Sequence, residues 1–583
     1  MQYHYWKGSD IVPRKVILIS GRICTWKTDL SSKLERRRGF RRLSTSNKLR
    51  DLAHVRGQPT DRRSLQGLGD TLDQETNFSW VYDYVKEALE VCSGEQPLVV
   101  DHLRHRQQVE HFRTQNMHDV VHVHLYADEQ FLSSEFEKRK EQKPDLETET
   151  YADADPLHGN EEDIDWFKKD ADIRLNVTNT DAEDTFVRIC AALRINPDQQ
   201  IRCVDVVIGG QYGSEGKGNI AAYLSKEYDV LVRVGGPNAG HTVASSSGEF
   251  TYHQLPSGAR DCDAELLLGP GMTIDVEKLL KEIQSAGINE ERLFIDPDAM
   301  IISNDDIQQE DDLRANISST ASGSGAAAAR RIMGRSGKTK LAKDIPELEP
   351  FVGGRKASRG STMRRLEAAF ASGKSILLEG TQGSGLSLYH GPYPHVTSRD
   401  TNVAGSLAEA GISPSRLRRV ILVTRTMPIR VANPESVDKT SGVLKYETTF
   451  ENIAKRANLI ADKVKNAEKT STTKRDRRVG HFDWELFRKS CKLNAPTDIA
   501  LTFADYISSK NQDARRFEQL TQPTREFIEE LELVSQARVT LINTRFEPPP
   551  VCRRLQSKYG WSPWKKVTEP TDFRLRCVPA RFG

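Results

Sequence analysis

No apolar run in the sequence approaches the ~20 residues that span a bilayer. The first fifteen residues, Met1 to Lys15, lack the apolar core of a signal peptide. Neither a membrane span nor a secretory leader is therefore expected. The eight cysteines, at positions 24, 92, 190, 203, 262, 491, 552 and 577, are scattered without a Cys-x-x-Cys pair. That spacing argues against a disulfide or zinc framework and for reduced, mostly buried thiols of a cytoplasmic protein. An excess of one charge is missing too, since 84 Lys and Arg against 82 Asp and Glu leave a net +2. Bulk charge gives no reason to expect nucleic acid or an anionic membrane as a partner, and any basic site must be local. There is no repeat at a solenoid period. What is present is a chain of 583 residues, 37% hydrophobic and 28% charged, polar for a globular protein yet far from a disordered one. At roughly 150 residues per domain, it has room for three or four units, fewer if one is large.

The chain opens an α/β unit twice. Lys15 to Ser20 is a buried-strand run that meets Gly21, and Cys203 to Ile208 is another that meets Gly209-Gly210. Asn196-Pro197-Asp198 breaks the helical pattern before the second run. The division is therefore placed at 1–198 and 199–583. The acidic stretch Glu141 to Asp165 is too polar for core and reads as a lid, loop or linker. In the second unit, short apolar runs recur at Val230–Val234, Leu266–Leu268, Ile376–Leu378, Val420–Val423, Ile499–Phe503 and Val539–Ile542. Helical patterns at Val276–Ala286 and Thr362–Ala371 alternate with some of them. The expected fold is α/β: two phosphate-loop-related domains, each a mostly parallel sheet flanked by helices, with ligands at the strand ends. Gly/Ser/Ala-rich Ser318 to Ala329 also admits a reading as a flexible linker.

In the first unit, Gly21-Arg-Ile-Cys-Thr-Trp26-Lys27-Thr28 has the spacing of a phosphate loop, with Trp26 in place of the second glycine. Such a loop turns its amides to phosphate, puts the lysine on the terminal phosphates and the hydroxyl on magnesium. A tryptophan there is expected to obstruct the loop's usual conformation. Pro97 to Asp101 is a strand ending in an acid, a candidate magnesium or substrate group. Arg104, Arg106, a strand at Val121–Ala127, Arg139 and a last strand at Ala171–Asn176 follow. This order resembles the nucleoside-monophosphate kinase group over residues 14–195. The resemblance implies phosphate-binding roles for Gly21, Lys27 and Thr28 and a role for Asp101. A degenerate kinase fold used for docking or regulation is the alternative.

The sharpest signal is Gly209-Gly-Gln-Tyr-Gly213-Ser214-Glu215-Gly216-Lys217-Gly218, which directly follows a strand. Its amides can turn inward around a polyphosphate, and the lysine adds a point charge. After the next strand comes Gly236-Pro-Asn238-Ala239-Gly240-His241-Thr242. Taken alone, a histidine is more often structural; paired with the loop it becomes a site candidate. The two motifs resemble the adenylosuccinate synthetase family, whose loops read G-Q-W-G-D-E-G-K-G and N-N-A-G-H-T. The resemblance continues through His253 to Gly258, Leu378 to Gly383, Gly391 to Ser398 and Thr472 to Asp483, and spans 203–547.

That family phosphorylates the 6-oxygen of a purine nucleoside monophosphate from a nucleoside triphosphate, and L-aspartate then displaces the phosphate. The resemblance implies Ser214, Lys217, His241 and Gln382 at the reacting groups. Gly213, Glu215, Gly216, Gly218, Asn238, Ala239, Gly240, Thr242, Thr320, Thr397 and Asp505 would bind nucleotide. Thr473, Arg475 and Arg477 would grip aspartate, which suits the forked guanidinium. Arg331 or Arg335 would reach the monophosphate of a neighbouring subunit in a homodimer. Mg2+ would be held with help from Ser214 and the Gly240 carbonyl.

Four departures from the family pattern bear on substrate. The loop aspartate is Ser214, a neutral and poor base, as in the 2-aminoadenylosuccinate synthase branch that acts on guanine nucleotides. The guanine-reading T-K-x-D is Thr502-Phe503-Ala504-Asp505, which points to ATP or dATP beside GTP as donor. Ser319-Thr320 to Ala326 keeps the phosphate-binding threonine but not the following arginine. Thr424 to Val431 and the unfamiliar 431–470 replace V-G-x-G-P-F-P-T-E, and 551–583 lie outside the resemblance. The reading is a carbon–nitrogen ligase joining aspartate to dGMP or GMP. Conventional synthesis from IMP with GTP is the alternative, and a nucleotide-sensing pseudoenzyme with a kinase or regulatory first unit is the alternative of another class.

Overall fold

The computed structural model describes residues 16–91, 96–115, 119–140, 150–151, 161–195, 201–245, 248–335, 339–352, 361–436, 438–469, 476–545 and 552–554. The chain divides into two compact units, Met1–Asp198 and Gln199–Gly583. Much of the acidic stretch 141–165 and all of 196–198 lie outside the described residues.

In the first unit, the described strands form a parallel sheet of Arg41–Ser44, Leu98–Leu103, Val16–Gly21, Val120–Tyr126 and Ile173–Asn176, in that order from edge to edge. The central strand is buried throughout, because alternate residues pack into clusters on opposite faces. Ile17 and Ile19 meet Leu30 and Leu34, whereas Val16 and Leu18 meet Val85 and Phe112. The helix Lys27–Arg38 follows the loop and ends at Gly39, whose φ of 71° makes the left-handed cap, with Arg36, Arg37 and Arg38 in the last turn facing the negative end of the dipole.

Two histidines sit inside this sheet. His122 and His124 are two residues apart on one strand, so they share a face. The Ser20 hydroxyl lies 2.7 Å from His122 Nε2 and 3.0 Å from His124 Nδ1. Burial holds both rings neutral, with pKa values pushed down to about 3. Since the folded values lie below the unfolded value near 6.5, their contribution to stability is complete above pH 6.5 and is lost as pH falls toward 3. Between pH 6.5 and 5 the expected loss is about 2 kcal/mol per histidine. Amide exchange in Val120–Tyr126, corrected for intrinsic rates, is expected to accelerate accordingly at pH 5. A His122→Phe variant should show a smaller acid effect; equal effects in both proteins would contradict the assignment.

In the second unit the described strands build a nine-stranded sheet. Its order is Leu293–Ile295, Glu265–Leu268, Val230–Arg233, Ile376–Glu379, Val204–Gly209, Leu417–Arg425, Asp498–Thr502, Arg538–Asn543 and Cys552–Arg554. Only the last pair is antiparallel. All six apolar runs expected as strands lie in this sheet. Val206 and Val232 pack beneath Leu366 and Phe370, while Val207 and Leu231 pack against Ile220 and Leu279 on the other face. After Val204–Gly209 the chain builds outward one way through Val230–Arg233, then returns to build outward the other way through Leu417–Arg425. The loop after Val204–Gly209 therefore lies at a topological switch point, where open α/β sheets bind ligands.

The helices Val276–Ala286 and Thr362–Ala371 have the expected bounds. The linker alternative for Ser318–Ala329 is corrected: Ser324–Met333 is a helix. Its alanines favour helix, and the Glu310 carboxylate accepts the amides of Gly323, Gly325 and Ala326 at 2.8, 2.6 and 3.1 Å at the helix start. Among the described residues, no helix is long and apolar enough to cross a membrane.

Candidate active site

The glycine loop leaves the strand at Gly209, where a side chain has no room: a Cβ would lie 2.4 Å from the Gln382 carbonyl oxygen. Gly213, Ser214 and Gly216 then take left-handed conformations with φ of 93°, 55° and 89°. Glu215, expected among the nucleotide contacts, turns inward instead and is fully buried. One of its oxygens accepts the amides of Gln211 and Gly213 at 3.0 and 2.8 Å, and the other lies 2.5 Å from Lys217 Nζ. Thr502 donates to the Glu215 carbonyl at 2.6 Å. Glu215 thus braces the loop from beneath. The helix Lys217–Leu224 begins at once.

The loop forms one wall of a cavity of about 910 Å³. Gly213, Ser214, Gly216, Lys217, Gly218, Asn238, Ala239, Gly240, His241, Thr242, Thr320, Gln382, Thr397 and Arg477 all line it. Residues as far apart in the chain as Gly213 and Arg477 are thereby brought together. Ser214 is exposed, whereas Lys217 is 2% exposed. Gln382 donates to the Thr397 hydroxyl at 2.8 Å, and the Ser324 hydroxyl donates to Asn238 Oδ1 at 2.7 Å.

His241 is held from behind. Its Nδ1 lies 2.6 Å from Glu379 Oε1 and 2.9 Å from Arg233 Nη1, and Arg233 pairs with the other Glu379 oxygen at 2.8 Å. The amide and hydroxyl of Ser257 both donate to Glu379 at 2.7 Å. Burial, then Arg233, lower the His241 pKa to about 4 against the upward pull of Glu379. Glu379 itself is held well below the usual carboxylate range, since Arg233 and His241 outweigh its burial. With Nδ1 accepting from Arg233, the neutral ring carries its proton on Nε2. With Nδ1 protonated, that proton goes to Glu379. Nε2 is then a donor toward the cavity in the first tautomer and in the imidazolium, and an acceptor in the neutral ring whose Nδ1 carries the proton.

Other expectations land elsewhere. Asp505 is buried and outside the cavity lining; burial pushes its pKa up to about 6, and Gln512 donates to it at 3.3 Å. The Phe503 ring lines the cavity instead and lies 3.8 Å from the Arg425 guanidinium carbon. Arg331 lies off the cavity and donates to the carbonyls of Pro270 and Asp298 at 3.0 and 2.6 Å. Arg335 is exposed. Thr473 and Arg475 lie outside the described residues.

Gly21, Lys27, Thr28 and Asp101 belong to the first unit. There the expected obstruction by Trp26 is corrected: it adopts a φ of 65°, the helix still starts at Lys27, and the indole N–H donates to the Thr180 carbonyl at 3.1 Å. Lys27 Nζ lies 2.5 Å from the Arg22 carbonyl, and Thr28 Oγ1 lies 3.3 Å from His102 Nε2. Asp101 is buried and committed to the sheet edge. Arg42 donates to it at 2.7 Å, His102 lies at 3.1 Å, and these contacts outweigh burial to bring its pKa down to about 2.

Sequence reasoning missed Arg233, Glu379, Glu310, Arg425 and Glu468. The signal for the first two was present: each is a charged residue at the end of an otherwise apolar strand, Val230–Arg233 and Ile376–Glu379. Such a position is costly unless its partner is another buried charge.

A glycine-rich loop at a switch point, braced by Glu215 and carrying a lysine, with a histidine across the cavity, fits a nucleotide-binding enzyme of the parallel α/β class. The family model for adenylosuccinate synthetase matches residues 206–344 and 340–512. The adenylosuccinate synthetase of Methanocaldococcus jannaschii is 35% identical over 347 residues, 58% of this chain and 93% of that protein. That of Pyrococcus horikoshii is 36% identical over 347 residues, 58% and 95% respectively. A solved chain of cyanophage S-2L succinoaminodeoxyadenylate synthetase, bound to dGMP and dATP as an energy donor, is 28% identical and covers 59% of this chain and 93% of that one, with a TM-score of 0.48. The chain belongs to the adenylosuccinate synthetase family of carbon–nitrogen ligases, and the match lies in its second unit.

Substituting Glu379→Gln leaves Arg233 buried without its counter-ion and unfixes His241. A stability loss of about 3 kcal/mol and a rate loss on the order of 10²-fold are expected. Thermal melting and steady-state ligation check this; an unchanged rate would contradict the role given to the triad.

Proposed function

We propose that this chain joins L-aspartate to the 6-position of dGMP or GMP, giving 2-amino-(deoxy)adenylosuccinate, with ATP, dATP or GTP as phosphoryl donor. The observation that carries the reading is Ser214: exposed, on the cavity wall, three residues before Lys217, and neutral where the family pattern has an aspartate. The 2-amino group of a guanine is a donor beside ring nitrogen 1. A serine leaves it space and supplies an acceptor oxygen, which an unpartnered buried donor would otherwise lack.

Lys217 and the loop amides from Ser214 to Gly218 hold the triphosphate, the Gly213 amide being bonded to Glu215. The purine 6-oxygen takes the γ-phosphoryl group, and the amine of aspartate then displaces inorganic phosphate. His241 Nε2 donates to the shifting phosphoryl group or 6-oxygen, and Gln382 lies near the 6-position. Asn238, Thr320 and Thr397 hold the monophosphate, and Arg477 takes a carboxylate of aspartate together with Thr473 and Arg475. Ser214 and the Gly240 carbonyl line the same cavity. Their hydroxyl and carbonyl would offer hard oxygen donors, which suit Mg2+. When bound, Mg2+ neutralises charge on the transferring phosphates. Phe503 offers a base-tolerant stacking face in place of a guanine-reading lysine, which supports ATP or dATP as donor. Arg335, exposed while Arg331 is tied to its own chain, is the better candidate to enter a neighbour's site in a homodimer. The first unit we read as kinase-like or regulatory, and Lys27→Ala is expected to leave ligation intact.

Incubation with aspartate, Mg2+ and each pairing of dGMP, GMP or IMP with ATP, dATP or GTP, read by product mass, tests the reading. Succinylated product from a guanine nucleotide is expected. Product from IMP alone would reject the guanine assignment, and nucleotide binding without product would favour a sensor. Ser214→Asp should move preference toward IMP by about tenfold or more, ~1.4 kcal/mol in barrier.

A further inference from the structure

Glu468 lies at the end of the helix Ala461–Ala467, within the span that the family model matches. It lines the cavity, yet it is 2% exposed. Three side chains converge on its carboxylate. Arg425 pairs with Oε1 and lies 3.4 Å from Oε2. The Tyr506 hydroxyl donates to Oε1 at 2.6 Å, and Arg477 Nη1 donates to Oε2 at 3.3 Å. A buried carboxylate so placed is not a proton acceptor; its role is to hold cations.

Its two arginines lead in different directions: Arg477 lines the cavity, whereas Arg425 is fully buried behind the lining. Arg425 donates to the Ser214 carbonyl at 3.2 Å, and its own backbone is gripped on both sides by Gln211. That fixes the left-handed turn at Ser214. Among the described residues Arg477 meets Glu468 through one nitrogen, and its side chain lines the cavity that a carboxylate would enter. Lys469, the next residue, is exposed and lines the same wall.

We propose that Glu468 is a positioning residue. It orients Arg477 for the carboxylate of the amino-acid substrate, and through Arg425 it ties that subsite to the turn carrying Ser214. A long arginine side chain left unanchored pays rotamer entropy on binding, whereas a pre-oriented fork does not. The inference rests on the ligase reading above.

The test is steady-state kinetics of the full chain, with each substrate varied in turn, for wild type, Glu468→Gln and Tyr506→Phe. Glu468→Gln is expected to raise the KM for aspartate about tenfold, with the KM for the triphosphate within about twofold of wild type. Tyr506→Phe removes one bond to the carboxylate and should raise the aspartate KM alone, by about two- to threefold. An aspartate KM unchanged in Glu468→Gln, or all three KM values rising together, would overturn the proposal. If Glu468→Gln does not fold, Tyr506→Phe decides: an unchanged aspartate KM overturns the proposal. Wild-type protein that forms no product with any nucleotide pair sinks the ligase reading and this inference with it. Wild-type turnover with an indifferent aspartate KM sinks this inference only.

Discussion

A carboxylate without access to solvent underlies the site. Glu215 receives two loop amides and the Lys217 ammonium, and it fixes a turn that includes three left-handed residues. Backbone in that region is unfavourable for Ser214, which has a Cβ, and holds only where the surroundings over-determine it. The brace does so from one side and the Arg425 guanidinium, bonded to the Ser214 carbonyl, from the other. The loop's backbone is thus held by the protein itself, so little reorganisation would remain for the proposed reaction.

The same economy appears across the cavity. Arg233, Glu379 and His241 are all at the ends of sheet strands or beside them, and all are buried. A buried ion pair seldom stabilises a fold by itself, because desolvation offsets the attraction. Here the pair sets the state of a third group. Arg233 favours the neutral ring and Glu379 the charged one, so in the proposed reaction His241 would follow the charge of a phosphoryl group passing in front of it.

Much of this could be read before any coordinates. The apolar runs became strands because a parallel sheet covered on both faces demands continuous burial, and the glycine and histidine motifs meet because the strands carrying them are near neighbours in that sheet. The strand Arg41–Ser44 was invisible: it is a four-residue edge with two arginines. The helix Ser324–Met333 was ambiguous, since Gly, Ser and Ala suit a linker until Glu310 is seen at its start. Glu468 and Arg425, 43 residues apart, have no local pattern that announces a partnership. Trp26 misled through a sound rule, because φ > 0 is costly for a bulky residue; the bond from its indole to Thr180 helps hold it there.

The most direct test of the central claim is a crystal structure with dGMP, a non-hydrolysable triphosphate and an aspartate analogue bound. The account predicts the guanine 2-amino group within hydrogen-bond distance of Ser214 Oγ, and the 6-oxygen facing His241 Nε2. A purine bound with its 2-amino group directed away from Ser214, or a cavity that excludes the purine, would contradict it.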